Sequence, residues 1–404
     1  MASTLDLPGF SSSFPNKSEG KRFMFRRTML AAAAGVLTTG ALMTGAAFAQ
    51  GAPVQLGAIE ILTGPNAAYG TAIRAGLELA LGEINAKGGV LGGRQINLVI
   101  EDSAGNKDQA INAARKLIGR DKVVAIIGPT LSNEMFAAGP VANERRIPIM
   151  GTSTTANGIT EMGQFVFRTS LPESDVIPVT LRAAQNRGVK TIALMYANDD
   201  AFSKSGFDVM KAAAEKAGLN IVAIEAFGSK DTDFSAQLTK IKALKPDAVG
   251  ISALVEPISG VLLQARQLGI GKETLFVGGN GSNSPKLGEI AGAAADGLIV
   301  GSPWFVGKSD EVNQKFVAAF RAKNGKDPDQ FAAQAYDAMF IMADAFNRAG
   351  EADSLKVRDA LTQTKYTGVM GPFTFTPGRD PASTEGVVVL EMRGGKFGIL
   401  APNS

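Results

Sequence analysis

The sequence predicts an α/β protein of two domains, each a parallel sheet flanked by helices. Short β-branched runs alternate with amphipathic stretches along nearly the whole chain. Beyond residue 49 there are 355 residues, more than one hydrophobic core usually supports. After residues 165–170 the alternation starts again, in periodicity but not in wording, so the architecture is repeated rather than the sequence.

The elements follow in order. Residues 54–62 form an apolar, β-branched strand, and 68–86 a helix with Ile73, Leu77, Leu81 and Ile84 on one face. Lys87-Gly88-Gly89 stops that helix, glycine supplying the left-handed turn. A strand at 96–101 and a helix at 107–118, with Ala110, Ala113, Ala114 and Leu117 inward, complete the next unit. Residues 123–127 read as a buried strand, Ser132 as the N-cap of a short helix, and 147–151 as another strand. In the second half we expect helices at 175–187, 203–217, 233–244 and 257–268, the third stopped by Lys245-Pro246. Strands are expected at 191–196, 220–226, 248–254, 275–278 and 297–301. The tail is more helical, at 311–323, 330–349 and 354–363. It closes with strands at 387–392 and 396–400 around an Arg393-Gly394-Gly395 hairpin turn.

Composition narrows the chemistry. The chain has no cysteine, which removes disulfides and thiol nucleophiles. It has no histidine, which removes the commonest general base, the pH switch near neutrality and the commonest zinc ligand. An enzyme is therefore the weakest reading, and no cofactor or metal is implied. Residues 26–49 read as a cleavable export signal: Arg26-Arg27, an uncharged run from Met29 to Phe48, and small residues at Ala47 and Ala49, with cleavage before Gln50. Arg26-Arg27 before Thr28-Met29-Leu30 suggests the twin-arginine route, with Met24 an alternative start. A membrane anchor is the competing reading, disfavoured by the run's Gly, Ala and Thr content. Five basic and two acidic residues lie within the first 49, leaving 36 of each in the remainder. A neutral chain has no basic surplus for nucleic acid.

Ordered short motifs carry a resemblance. Ile84-Asn85-Ala86-Lys87-Gly88-Gly89-Val90-Leu91-Gly92-Gly93-Arg94, then Glu101-Asp102, resembles the opening of the periplasmic leucine/isoleucine/valine-binding proteins, the type I solute-binding proteins of ABC transporters. Gly64-Pro65 with Tyr69-Gly70, Gly128-Pro129 with Ser132, Gln264-Ala265-Arg266, Ile290-Ala291-Gly292, Asp296-Gly297 and Met370-Gly371-Pro372 follow in register. Together they span residues 54–399. The resemblance implies a bilobed Venus-flytrap with ligand at the carboxyl ends of the strands and a hinge motion that closes over it. It implies crossovers near Leu171-Pro172, Pro303 and Val387. Residues 50–171 and 304–386 would form the first lobe, and 172–303 and 387–404 the second, after a signal peptide at 1–49.

The resemblance also implies site residues. Ser132 and Thr155 would bind a ligand carboxylate, with Thr155 also helping an ammonium and Ser153 offering it a carbonyl. From the residues alone, Ser132 could equally be a plain N-cap and Ser153-Thr154-Thr155 an ordinary polar turn. Tyr69 and Phe331 from the first lobe, and Phe202 from the second, would pack on the ligand side chain. Trp304 is a further candidate wall, without support from the resemblance. Two positions depart from the family pattern: Asn280 stands where the family has a glutamate for the ligand ammonium, and Leu254 replaces a tyrosine. An amide cannot neutralise a buried cation. Either another acid does so, with Glu256 and Asp200 as candidates, or the ligand is an aromatic or branched-chain acid without an α-ammonium. Asp199-Asp200 otherwise reads as helix N-terminal stabilisation rather than a cation site.

The expected function is an exported, monomeric solute-binding protein. It would capture a branched-chain or aliphatic amino acid, or a related small carboxylate, and deliver it to ABC permease subunits. A ligand-sensing receptor of the same fold, feeding a chemoreceptor or kinase, is the alternative.

Overall fold

The computed structural model describes residues 51–382 and 386–400, which places the expected export signal outside the described residues. The first half contains β1 (Val54–Glu60), α1 (Ala67–Ala86), β2 (Ile96–Asp102), α2 (Lys107–Gly119), β3 (Ala125–Ile127), α3 (Ser132–Glu144), β4 (Ile149–Gly151) and β5 (Val166–Arg168). These strands form an all-parallel sheet in the order β2-β1-β3-β4-β5. Its inner strands read as continuous apolar runs because helices cover both faces. Ile73 and Leu77 of α1 lie against one face; Ala113 and Leu117 of α2 and Met135 and Ala138 of α3 lie against the other.

The chain then enters a second sheet through α4 (Glu173–Asn186). There follow β6 (Thr191–Ala197), α5 (Ala201–Lys216), β7 (Asn220–Phe227), α6 (Ser235–Leu244), β8 (Ala248–Ser252), α7 (Val255–Gln267), β9 (Leu275–Gly278), α8 (Pro285–Ala291) and β10 (Ile299–Ser302). Beyond β10, α9 (Glu311–Asn324), α10 (Gln330–Ala349) and α11 (Ser354–Thr362) return to the first sheet, α10 packing along α1. Gly76 permits that approach, since a Cβ there would run into the Ala332 carbonyl. A small hairpin of β11 (Lys365–Gly368) and β12 (Gly371–Thr374) stays on this side, held by the Asp337 carboxylate, which accepts the Val369 and Met370 N–H groups at 3.0 and 2.8 Å. Finally β13 (Val388–Arg393) and β14 (Lys396–Ile399) join the second sheet, whose order is β14-β13-β10-β9-β8-β6-β7. Gly394 and Gly395, at φ 56° and 76°, make the two-residue turn between them. The chain thus passes between the sheets after β5, after β10 and before β13. The described residues all fall within one compact unit.

Where the structure departs from the sequence reading, the causes are local. Predicted strand 147–151 shortens to Ile149–Gly151: Pro148 has no N–H to donate, although its carbonyl accepts the Ile126 N–H at 2.8 Å. Helix α4 starts two residues earlier than predicted, at Glu173 directly after Pro172. Helix α8 and the β11–β12 hairpin were not expected: one has seven residues, and the other alternates half-exposed and exposed positions with little apolar signal.

Candidate functional site

The site is built from the segments that leave the carboxyl ends of the strands. After β3, Gly128–Leu131 turns into α3. Ser132 is the first residue of that helix and not its cap, which corrects the sequence expectation. Leu131, extended at φ −99° and ψ 150°, holds the cap position, and Glu134 accepts the Leu131 N–H at 3.1 Å. Released from capping, the Ser132 hydroxyl oxygen accepts the Ala156 N–H at 3.3 Å. After β4, Ser153 donates its hydroxyl to the Thr130 carbonyl at 2.6 Å. Thr155 is buried, and its hydroxyl sits against the Glu173 carboxylate.

The opposite wall comes from the second sheet. Asp200 caps α5, accepting the Ser203 N–H and hydroxyl at 2.7 Å each, and this places Phe202 in the first turn. Leu254 precedes α7, and Asn280 opens a single 3₁₀ turn after β9. From the first lobe, Phe331 in the first turn of α10 meets Tyr69 edge-on, ring centres 4.9 Å apart.

Tyr69, Ser132, Ser153, Phe202, Leu254, Asn280 and Phe331 surround one small cavity of about 20 Å3, completed by Thr130, Leu131 and Gly281. Thr155 does not line it. None of the ten lining residues is charged. The first turns of α3 and α5 and the start of α7 all meet the cavity, at Ser132, Phe202 and Leu254. Helix N-termini carry partial positive charge and unpaired N–H groups, so this small neutral chamber favours an anionic group on its ligand.

Direct bonds close the two walls onto each other. The Tyr69 hydroxyl donates to the Gly281 carbonyl at 2.6 Å and accepts the Val255 N–H at 2.9 Å. Burial, with Glu256 nearby, pushes the Tyr69 phenol well above its ordinary range, so it remains a donor. Asn133 of α3 donates to the Asp200 carboxylate and accepts the Ala201 N–H at 2.8 Å, while Ser205 accepts the Asn157 N–H at 2.9 Å. Neither Asn133 nor the bridging role of the Tyr69 hydroxyl was read from the sequence.

The expected partners for an ammonium fare differently. The Asn280 side-chain Oδ1 already accepts from the Gln330 side-chain amide at 2.6 Å. Asp200 is committed to its cap and to Asn133. Glu256 is only partly buried and does not line the cavity, although its Oε2 has no partner. Glu173, which sequence reasoning passed over, is buried, and its Oε1 accepts the Asn280 N–H at 2.9 Å. An acid following Pro172 looks like any helix start, so nothing in the sequence marked it. Trp304 does not line this cavity but borders the wider groove beside it; its indole N–H donates to Asn313 Oδ1 at 2.8 Å and its ring packs on Phe316. Among the described residues no group of acids is placed to hold a metal ion, and no helix is long and apolar enough to cross a membrane.

The chain matches the family model for periplasmic binding proteins over residues 53–396. It is 32% identical over 319 residues to the Leu/Ile/Val-binding protein BraC3 of Rhizobium johnstonii, covering 78% of this chain and 84% of that protein. It is 30% identical to the leucine-, isoleucine-, valine-, threonine- and alanine-binding protein of Pseudomonas aeruginosa, covering 77% and 83%. Among solved structures, the branched-chain amino acid transporter substrate binding protein LivJ of Streptococcus pneumoniae, in complex with isoleucine, superposes with a TM-score of 0.79 at 28% identity over 87% of this chain and all of that one. Two sheets joined by three passages, a small cavity at the strand ends and a family match across nearly the whole described chain agree: this chain belongs to the periplasmic binding proteins, a family of solute binders and not of enzymes.

Proposed function

We propose that the protein is the extracytoplasmic solute-binding component of an ABC importer, and that its ligand is a branched-chain or aliphatic amino acid held in the cavity between the sheets. The observation that carries this reading is the Tyr69 bridge, whose hydroxyl ties the first lobe to two backbone groups of the second across a small cavity. Closure is the working step. A ligand that bridges both walls stabilises the closed form by its differential affinity, and a membrane permease then selects that form. The uncharged hydroxyls and the three helix starts suit a carboxylate, while Tyr69, Phe202, Leu254 and Phe331 suit an apolar side chain. The names of the relatives, which bind leucine, isoleucine and valine, point the same way. Export through the Arg26-Arg27 signal, cleavage before Gln50 and action as a periplasmic monomer complete the reading.

The test is a thermal-shift panel on the mature protein, residues 50–404, with branched-chain and aromatic amino acids beside their deaminated acids and benzoate. A ligand that binds only the folded state raises the melting temperature. Stabilisation by leucine, isoleucine or valine is expected. Stabilisation by plain acids alone would replace the amino-acid reading with a carboxylic-acid one, and no shift from any compound would overturn both.

A further inference from the structure

Behind the cavity, four buried polar side chains form a chain whose direction is fixed atom by atom: Ser302, Asn283, Gln330 and Asn280. It begins at the Trp304 carbonyl, on the passage after β10. A carbonyl only accepts, so the Ser302 hydroxyl gives its one proton there, at 2.5 Å. The Ser302 oxygen is then an acceptor, and it takes the Asn283 Nδ2 at 2.8 Å. The same Nδ2 donates to Gln330 Oε1 at 2.7 Å. A longer Ser302 contact to that oxygen, at 3.3 Å, casts it in the same role. With its oxygen engaged, Gln330 turns Nε2 to Asn280 Oδ1, at 2.6 Å. What remains of Asn280 is its Nδ2 donor, which has no partner among the described residues, on a side chain that lines the cavity. Gln330 opens α10 in the first lobe, while Asn280, Asn283 and Ser302 belong to the second. The direction of the Asn280 amide is therefore set across the two lobes.

We propose that the cavity also takes 2-oxo acids, the keto oxygen accepting from Asn280 Nδ2, and that Gln330 is the positioning residue that turns this donor inward. The proposal rests on the reading of this cavity as the ligand site and goes beyond it in ligand class. The carboxylate of a small acid has partners of its own in the hydroxyls and helix starts of the cavity. In the proposed pose the next group along the ligand, its α-substituent, meets Asn280. A keto oxygen carries only acceptor lone pairs and completes the amide. A methylene in that place leaves a buried N–H unmade, which costs more than the bond itself is worth in water. An ammonium brings only donors, so leucine is held through its carboxylate and side chain and gains nothing from Asn280. One amide thus separates three acids that share a skeleton.

Titration calorimetry of the mature protein compares leucine, 4-methyl-2-oxopentanoate and 4-methylpentanoate. The oxo acid should bind at least about fivefold tighter than the plain acid, the worth of one added hydrogen bond. Equal affinity of those two acids would overturn the proposal. Binding of leucine with none of the oxo acid would do so as well, and would leave the amino-acid reading standing. Binding of the oxo acid without leucine would keep the proposal and remove the amino-acid reading, and failure of all three ligands would overturn both. Gln330→Glu then tests the positioning role, since Gln330 is not part of the cavity wall. At about pH 8 the new carboxylate only accepts, so Asn280 must give it Nδ2 and turn Oδ1 to the ligand. The oxo acid should lose about tenfold while leucine holds or gains. Equal loss of both ligands would mean that Gln330 acts on closure alone and would overturn its assignment. Should that variant fail to fold, Asn280→Asp is the second arm. Gln330 keeps its bond to one carboxylate oxygen and the other faces the ligand, so the oxo acid should again fall about tenfold relative to leucine; an unchanged ratio would overturn the proposal.

Discussion

Tyr69→Phe isolates closure from pocket shape. The substitution removes one oxygen and keeps the ring, so the edge-on packing with Phe331 at 4.9 Å survives. Two bonds disappear, the 2.6 Å donation to the Gly281 carbonyl and the 2.9 Å acceptance of the Val255 N–H. Both partners belong to the opposite wall, so the open form has neither bond and the loss falls on the closed form alone. At about 1 kcal/mol net for each, closure becomes less favourable by about 2 kcal/mol. A ligand bound in the closed form should then lose about 30-fold in affinity. Titration calorimetry with leucine reads the affinity, and small-angle scattering reads the radius of gyration with and without ligand. The melting temperature of the ligand-free protein should move by only a few degrees. An affinity within threefold of wild type would refute the view that this hydroxyl latches the lobes.

Other outcomes follow from the same contacts. Asn133→Ala removes a second clasp, the bonds to Asp200 and to the Ala201 N–H, and should weaken leucine binding by about tenfold in the same titration. Gly76→Ala forces a methyl into the Ala332 carbonyl where α1 crosses α10, so urea unfolding should show a loss of about 2 kcal/mol or more. Burial raises Glu134 and Glu173 to about 7, Asp329 and Asp337 to about 6, and Glu60 well above its usual range. A folded-state value above the unfolded one means stability is fully present below about pH 4 and is lost as pH rises through the folded values. The ligand-free protein should therefore resist urea better at pH 5 than at pH 7.5, by at most about 3 kcal/mol for each of the two glutamates; stability that climbs across that interval would contradict the assignment.

The sequence was most legible where one side chain answers to one local rule. Hydrophobic periodicity located α1 and α10, and the Gly394-Gly395 turn located the last hairpin. Site residues were legible as far as a motif fixes a backbone position: Ser132, Ser153 and Asn280 all end at strand termini around the cavity. What those atoms do there depends on contacts between segments far apart in sequence. Tyr69 meets Gly281 across 212 positions, and Glu173 meets Asn280 across 107, and no local pattern encodes either. The exact place of Trp304 was illegible for a related reason. Its place beside a hinge proline is visible in the sequence, but the direction of its ring is set by Phe316 and Asn313 on a helix that follows.

That indole is the only one in the chain. It lies just after β10, on the second of the three passages between the sheets. Its N–H is held by Asn313, while Phe305 and Val306 beside it border a wide groove between the lobes. The protein thus carries an optical gauge on one of its crossings between the sheets. Excitation at the red edge of protein absorption would report a single environment, with no dye attached and no second tryptophan to subtract. Ligand capture would be read as a shift in the colour of that one residue.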